Sequence, residues 1–105
     1  MDVLTDVLNT VRLKGSVYCR SEITAPWSLQ FNATRCATFH VVDCGACWLT
    51  LDGDPTEYAL SSGDLVMLPS GAGHRISSTL GLAPVAHIQL DVEEPISVRH
   101  YCHNE

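Results

Sequence analysis

The side chains in this sequence best suited to moving a proton or holding a metal are five histidines and five cysteines. They fall into a few short segments. His74 closes the stretch Gly63-Asp64-Leu65-Val66-Met67-Leu68-Pro69-Ser70-Gly71-Ala72-Gly73-His74, and His40 lies within Ala37-Thr38-Phe39-His40-Val41-Val42-Asp43. Cys44 and Cys47 bracket Gly45-Ala46, and His100-Tyr101-Cys102-His103 packs potential ligands together near the end of the chain. A neutral imidazole supplies one donor and one acceptor, or a lone pair for a metal. If His40 and His74 project into one apolar cup, they can orient a small polar molecule while burial of its apolar part supplies affinity, with Thr38 and Met67 lining the same space. The plainer alternative is that each histidine bonds to neighbouring backbone and Met67 is ordinary core.

A metal, if bound, is expected at His40 and His74. Catalytic centres take three or four protein ligands and keep a position open, so an enzyme would need a third ligand such as Cys47 or His100. No catalytic residue and no cofactor is assigned. Cys44-Gly45-Ala46-Cys47 has CxxC spacing, but redox motifs of this kind open a helix beside a βαβ unit, and zinc sites want a second ligand pair. A two-residue hairpin would set Cys44 opposite Cys47, which permits a reversible disulfide that senses oxidants; two plain thiols are the simpler reading. In a terminal strand His100 and Cys102 share a face while His103 points away, so zinc there would also need His87 or Cys36. A polar terminal strand or frayed tail is the default for this segment.

These residues need a framework of strands. From Asp2 to Leu13, apolar residues at Val3, Leu4, Val7, Leu8 and Val11 make a helical stripe with Asp2 as its cap, which predicts one short N-terminal helix. After Gly15 the pattern becomes short β-rich runs separated by Gly, Pro and Asp. Strands are expected at Val17–Ile23, Trp27–Phe31, Ala37–Asp43, Cys47–Leu51, Thr56–Leu60, Leu65–Leu68, His74–Ser78, Val85–Asp91 and Ile96–Cys102. Near-regular spacing of this kind predicts an all-β sandwich or barrel. Gly45 and Asp52-Gly53 suggest consecutive hairpins, hence antiparallel sheets. His40 shares a strand face with Thr38 and Val42, while Phe39, Val41 and Asp43 occupy the other; alternation alone leaves open which face is inside.

Composition limits the function. With 105 residues, 46% of them hydrophobic, the chain fits one folded domain with a modest core that a second copy would help to cover, so a homodimer is expected. Six Lys and Arg, scattered, stand against twelve Asp and Glu, which argues against a nucleic-acid surface on this chain. No apolar run approaches the roughly 18 residues of a membrane span, and Asp2 follows Met1 where a secretory signal would be basic. The odd number of cysteines leaves one unpaired in any disulfide scheme, as suits a reducing compartment. A soluble, cytoplasmic protein without membrane contact is expected.

The spacing from Gly63 to His74, with Pro69 and Gly71 between them, resembles the second conserved motif of the cupin superfamily. The resemblance implies a cupin double-stranded, jelly-roll-like β-barrel with His74 inside it. The first cupin motif, two histidines one residue apart, then a Glu, and a glycine seven residues after that Glu, is largely missing. If Gly45 is its glycine, Thr38 stands at the Glu position, and Ala33 or Thr34 stands where the second histidine belongs. This loss, together with the segments Ala37 to Gly53 and Met1 to Leu8, is similar to a narrower group, the N-terminal cupin sensor domain of AraC-type transcription regulators, over Met1 to about Ser78. In that family a C-terminal pair of helix-turn-helix motifs binds DNA, while the cupin binds a small effector, dimerises, or both. A single cupin domain over 1–105 is therefore expected, cut short at its C-terminus if the parent protein carries the DNA-binding part. No stretch after Gly15 could supply a recognition helix. The alternatives are a metal-dependent dioxygenase or isomerase, and a dimerisation remnant without ligand.

Overall fold

The computed structural model describes residues 8–13, 16–88 and 94–103. Among them are ten strands: β1 (Leu8–Leu13), β2 (Ser16–Thr24), β3 (Ser28–Phe31), β4 (Thr38–Cys44), β5 (Ala46–Leu51), β6 (Glu57–Ser61), β7 (Leu65–Leu68), β8 (His74–Ser77), β9 (Ala86–Ile88) and β10 (Ile96–His103). They form two five-stranded sheets, ordered β1-β2-β10-β4-β7 and β6-β5-β8-β3-β9. The all-β barrel architecture is present, with a strand at each of the nine expected places; of the one expected at Val85–Asp91, Ala86–Ile88 is strand and residues 89–91 lie outside the described residues. The helix expected over Asp2 to Leu13 is not found in its second half, because Leu8–Leu13 pairs with β2 as strand β1; residues 1–7 lie outside the described residues. A stripe of Leu and Val suits either period in so short a segment, and pairing to a sheet edge decides it.

Two expectations about connectivity are corrected. The sheets are mixed: β10 runs parallel to both β2 and β4, and β3 runs parallel to β9. The turn at Gly45 makes no hairpin, since β4 and β5 belong to different sheets, whereas Asp52-Gly53 does join the antiparallel pair β5 and β6. Gly45 instead carries the chain from one sheet to the other at φ +94°, and a Cβ there would lie 2.4 Å from the Cys102 carbonyl oxygen. Only glycine fits so close to that backbone.

The core lies between the sheets. Along β10, Ile96, Val98, His100 and Cys102 are buried while the residues between them reach the surface, and on β4 Thr38, His40 and Val42 are the buried set. Trp27, Leu29, Phe31, Leu49, Ile76 and Ile88 fill the space opposite. On the outer face Arg99 grips Asp43 with two hydrogen bonds of 2.7 and 2.9 Å, tying β10 to β4. That contact raises the Arg99 pKa and lowers that of Asp43.

The loop between β7 and β8 aims His74. Leu68 accepts from the Gly71 amide at 3.1 Å, and Gly71 O accepts from the Thr34 amide at 2.8 Å, so the loop is held from both sides. Gly71 has φ +68°, and a Cβ there would come within 2.4 Å of Thr34 Oγ1 and 2.5 Å of Cys36 O. Gly71→Ala is expected to destabilise the domain by about 2–3 kcal/mol, from left-handed backbone strain plus the clash. An unchanged urea midpoint would contradict the close approach.

Candidate functional site

Three histidines meet inside the barrel. His40 from β4 and His100 from β10 belong to one sheet and His74 from β8 to the other; their exposures are 0%, 0% and 1%. His40 Nδ1 lies 2.8 Å from His100 Nε2, His40 Nε2 lies 2.6 Å from His74 Nε2, and His74 Nδ1 lies 2.7 Å from the Ala72 carbonyl oxygen. That carbonyl can only accept, which fixes the protons along the chain when every ring is neutral. His74 donates Nδ1–H to Ala72 O. Its Nε2 accepts from His40 Nε2–H, and His40 Nδ1 accepts from His100 Nε2–H. The chain ends on the lone pair of His100 Nδ1. Aromatic rings support it: Phe31 stacks on His74 at 5.1 Å between ring centres and meets His40 edge-on at 5.0 Å, while Trp27 stacks on His100 at 6.5 Å.

Burial sets the charge state. Removal from water holds His40 well below its ordinary pKa, and the neighbouring His100 and His74 push the same way. Burial lowers His74 too, against the Ala72 hydrogen bond and Asp52, and brings His100 down to about 4. All three imidazoles are therefore neutral near pH 7. Three buried polar atoms, His100 Nδ1, Ser21 Oγ and Trp27 Nε1, have no hydrogen-bond partner among the described residues. All belong to one neighbourhood, because Ser21 is the cross-strand partner of His100 and Trp27 stacks on it.

The residues expected to act together fall into two places. His40 and His74 bond directly to each other, and Thr38 and His74 line a hollow of only about 10 Å³ with Phe31, Asn32, Thr34, Ile88 and Ile96. Such a space matches one water molecule. Met67 is 53% exposed and lines a separate cleft of about 540 Å³. His100, read from sequence as part of a polar or frayed tail, is fully buried on a strand between β2 and β4. Its signal was the period-2 run Ile96, Val98, His100, Cys102, outweighed by the polar residues between.

A metal shared by the three histidines does not fit this geometry. His40 turns opposite ring nitrogens toward its two partners, so the three donor sets do not converge, and no cluster of three or more His, Cys, Asp or Glu among the described residues is arranged to hold an ion. Cys47 joins no such cluster with the histidines; its thiol meets that of Cys102. That contact, then burial, pushes the Cys47 thiol far up, while the bond it donates lowers Cys102. Cys44 is exposed at the end of β4, on the other sheet from buried Cys47, so the hairpin that would have set these two thiols face to face is absent.

Comparison with known proteins agrees with this fold. The cupin family model matches residues 2–103. The chain is 30% identical over 78 residues to the HTH-type transcriptional regulator MtrA of Neisseria gonorrhoeae, covering 73% of this chain and 26% of that protein. It is 31% identical over 84 residues to an AraC-like transcription regulator of Streptomyces antibioticus, covering 80% and 28%. It is 30% identical over 78 residues to the HTH-type transcriptional regulator AlkR of Acinetobacter baylyi, covering 74% and 25%. The chain thus spans about a quarter of the length of these relatives. No solved structure matches it significantly. These relatives, and a fourth from Haemophilus influenzae, are named as regulators of transcription. A barrel carrying the Gly63 to His74 loop, matched over nearly its whole length, places this chain in the cupin family, among the cupin domains of AraC-type transcription regulators.

Proposed function

We propose that this chain is the effector-sensing and dimerising domain of a cytoplasmic AraC-type regulator. The observation that supports this reading is the hydrogen bond between His40 and His74, which joins the two sheets through the middle of the core. Apolar packing could fill that space with fewer unsatisfied groups, so a buried polar chain is better suited to specifying one inter-sheet arrangement than to adding stability. A small effector that contacts Met67 and acts through Thr38, His40 and His74 would favour one such arrangement. A DNA-binding part of the parent protein would read the change as a shift in population.

The test is sedimentation of the purified chain together with a metabolite screen by thermal denaturation. A dimer is expected, and a specific effector at 100 times its Kd should add about 2.7 kcal/mol of stability. A strictly monomeric chain that no compound stabilises would overturn the reading.

A further inference from the structure

A second hollow lies away from the histidines, where the two sheets part company. β6 and β7 end their respective sheets on the same side, joined by the turn through Ser62, Gly63 and Asp64. Between them is the cleft of about 540 Å³, within the size range of sites for drug-sized molecules. Leu49, Leu51, Tyr58, Leu60, Val66 and Leu68 line it. Tyr58, Leu65 and Met67, exposed by 43%, 63% and 53%, crowd the same edge, which makes an apolar patch rather than scattered surface residues. Glu57 is the sole charged residue among those lining the cleft, and the chain carries a formal charge of −6. Both favour a positively charged guest.

The cleft is wired to the histidine chain by strand register. Val66 is the cross-strand partner of His40, Leu68 of Thr38, and Leu51 of His74. Cross-strand partners share a face, so a guest lying against Val66, Leu68 and Leu51 touches the immediate neighbours of the groups that hold the sheets together. A body wedged between β6 and β7 changes the sheet separation that the 2.6 Å contact between His40 and His74 measures.

We infer that this cleft is the effector seat, and that it takes a small amphiphile whose apolar body lies between β6 and β7 and whose cationic head meets Glu57. The inference rests on the sensor reading above and adds the location and the chemistry.

The experiment titrates the chain with decyltrimethylammonium below its micelle concentration, with decyl sulfate and decyl maltoside as anionic and neutral counterparts, followed by NMR. The ammonium compound is expected to bind most tightly, moving the backbone amides of 57–60 and 65–68 and the ring nitrogens of His40 and His74 along one saturation curve. Glu57→Gln should remove the preference for the cation, a loss of about 2- to 5-fold for an exposed charge pair. Val66→Phe, which fills the cleft, should weaken binding of all three probes at least about 10-fold, as expected when apolar contacts worth more than 1.4 kcal/mol are displaced. If that variant does not fold, Tyr58→Ala at an exposed position should weaken binding in the same direction. Equal or tighter binding of the sulfate overturns the chemistry, and saturable shifts confined to residues outside the cleft overturn the site. In either case a stabilising compound found elsewhere on the dimer would leave the sensor reading standing. A monomer that binds nothing removes both.

Discussion

Acidification from pH 6.5 to 4 is expected to cost the domain about 3 kcal/mol through His100 alone, and more once His40 and His74 contribute. Unfolded, each of these rings takes up a proton near its ordinary pKa of 6.5; folded, burial holds all three below that value and His100 at about 4. Between those limits the unfolded chain binds more protons than the folded one, so stability falls as pH falls. Above the unfolded value the neutral rings carry no penalty, and below the folded value no further loss arises from that group. A proton added at His100 Nδ1 meets no hydrogen-bond acceptor among the described residues, and the Asp43 charge opposes the effect of burial only in part. Urea denaturation at a series of pH values should give a slope approaching about 1.4 kcal/mol per pH unit for each ring that titrates. His100→Gln should flatten that slope. A wild-type profile level from pH 7 to 4.5 would show that the imidazoles are not held neutral by burial.

His40→Ala should be the most damaging single change at the site, costing about 3–5 kcal/mol. It removes the middle of the chain. His100 Nε2–H loses its acceptor, His74 Nε2 loses its donor, and the ring that Phe31 meets edge-on leaves a cavity. Against a total of roughly 5–15 kcal/mol for a domain of this kind, the loss approaches global unfolding. His103→Ala is the control: that ring is 47% exposed and bonds Glu22 at the surface. It should change stability by no more than about 0.5 kcal/mol. Equal effects of the two substitutions in urea denaturation would contradict the role given to His40.

Much of this was legible in the sequence because local rules governed it. Strand positions followed turn residues closely, and Leu65–Leu68 matched to the residue. The Gly63 to His74 segment could be read as turn, strand, loop and inward histidine because Pro69 restricts the backbone there while Gly71 and Gly73 permit the reversal that follows. Pairing was less legible. Nothing near Ile96 or His103 announces that this strand inserts between β2 and β4 and runs parallel to both, since the partners lie far away in the chain. The same gap hid His100, whose burial depends on that insertion. His40 illustrates an intermediate case: alternation grouped it with Thr38 and Val42, and only the opposing sheet shows which group faces inward. The cleft between β6 and β7 was invisible for a related reason, since it depends on consecutive strands joining different sheets.

The position of β10 also bears on how the protein is made. Eight residues that emerge from the ribosome late in this sequence, Ile96–His103, separate β2 from β4 and hydrogen-bond to both. Until they arrive, the nascent barrel must keep two strand edges apart and exposed, each a template for a wrong partner. Closure of the sheet is then a single late insertion, and the histidine that completes the interior chain is delivered by the same step.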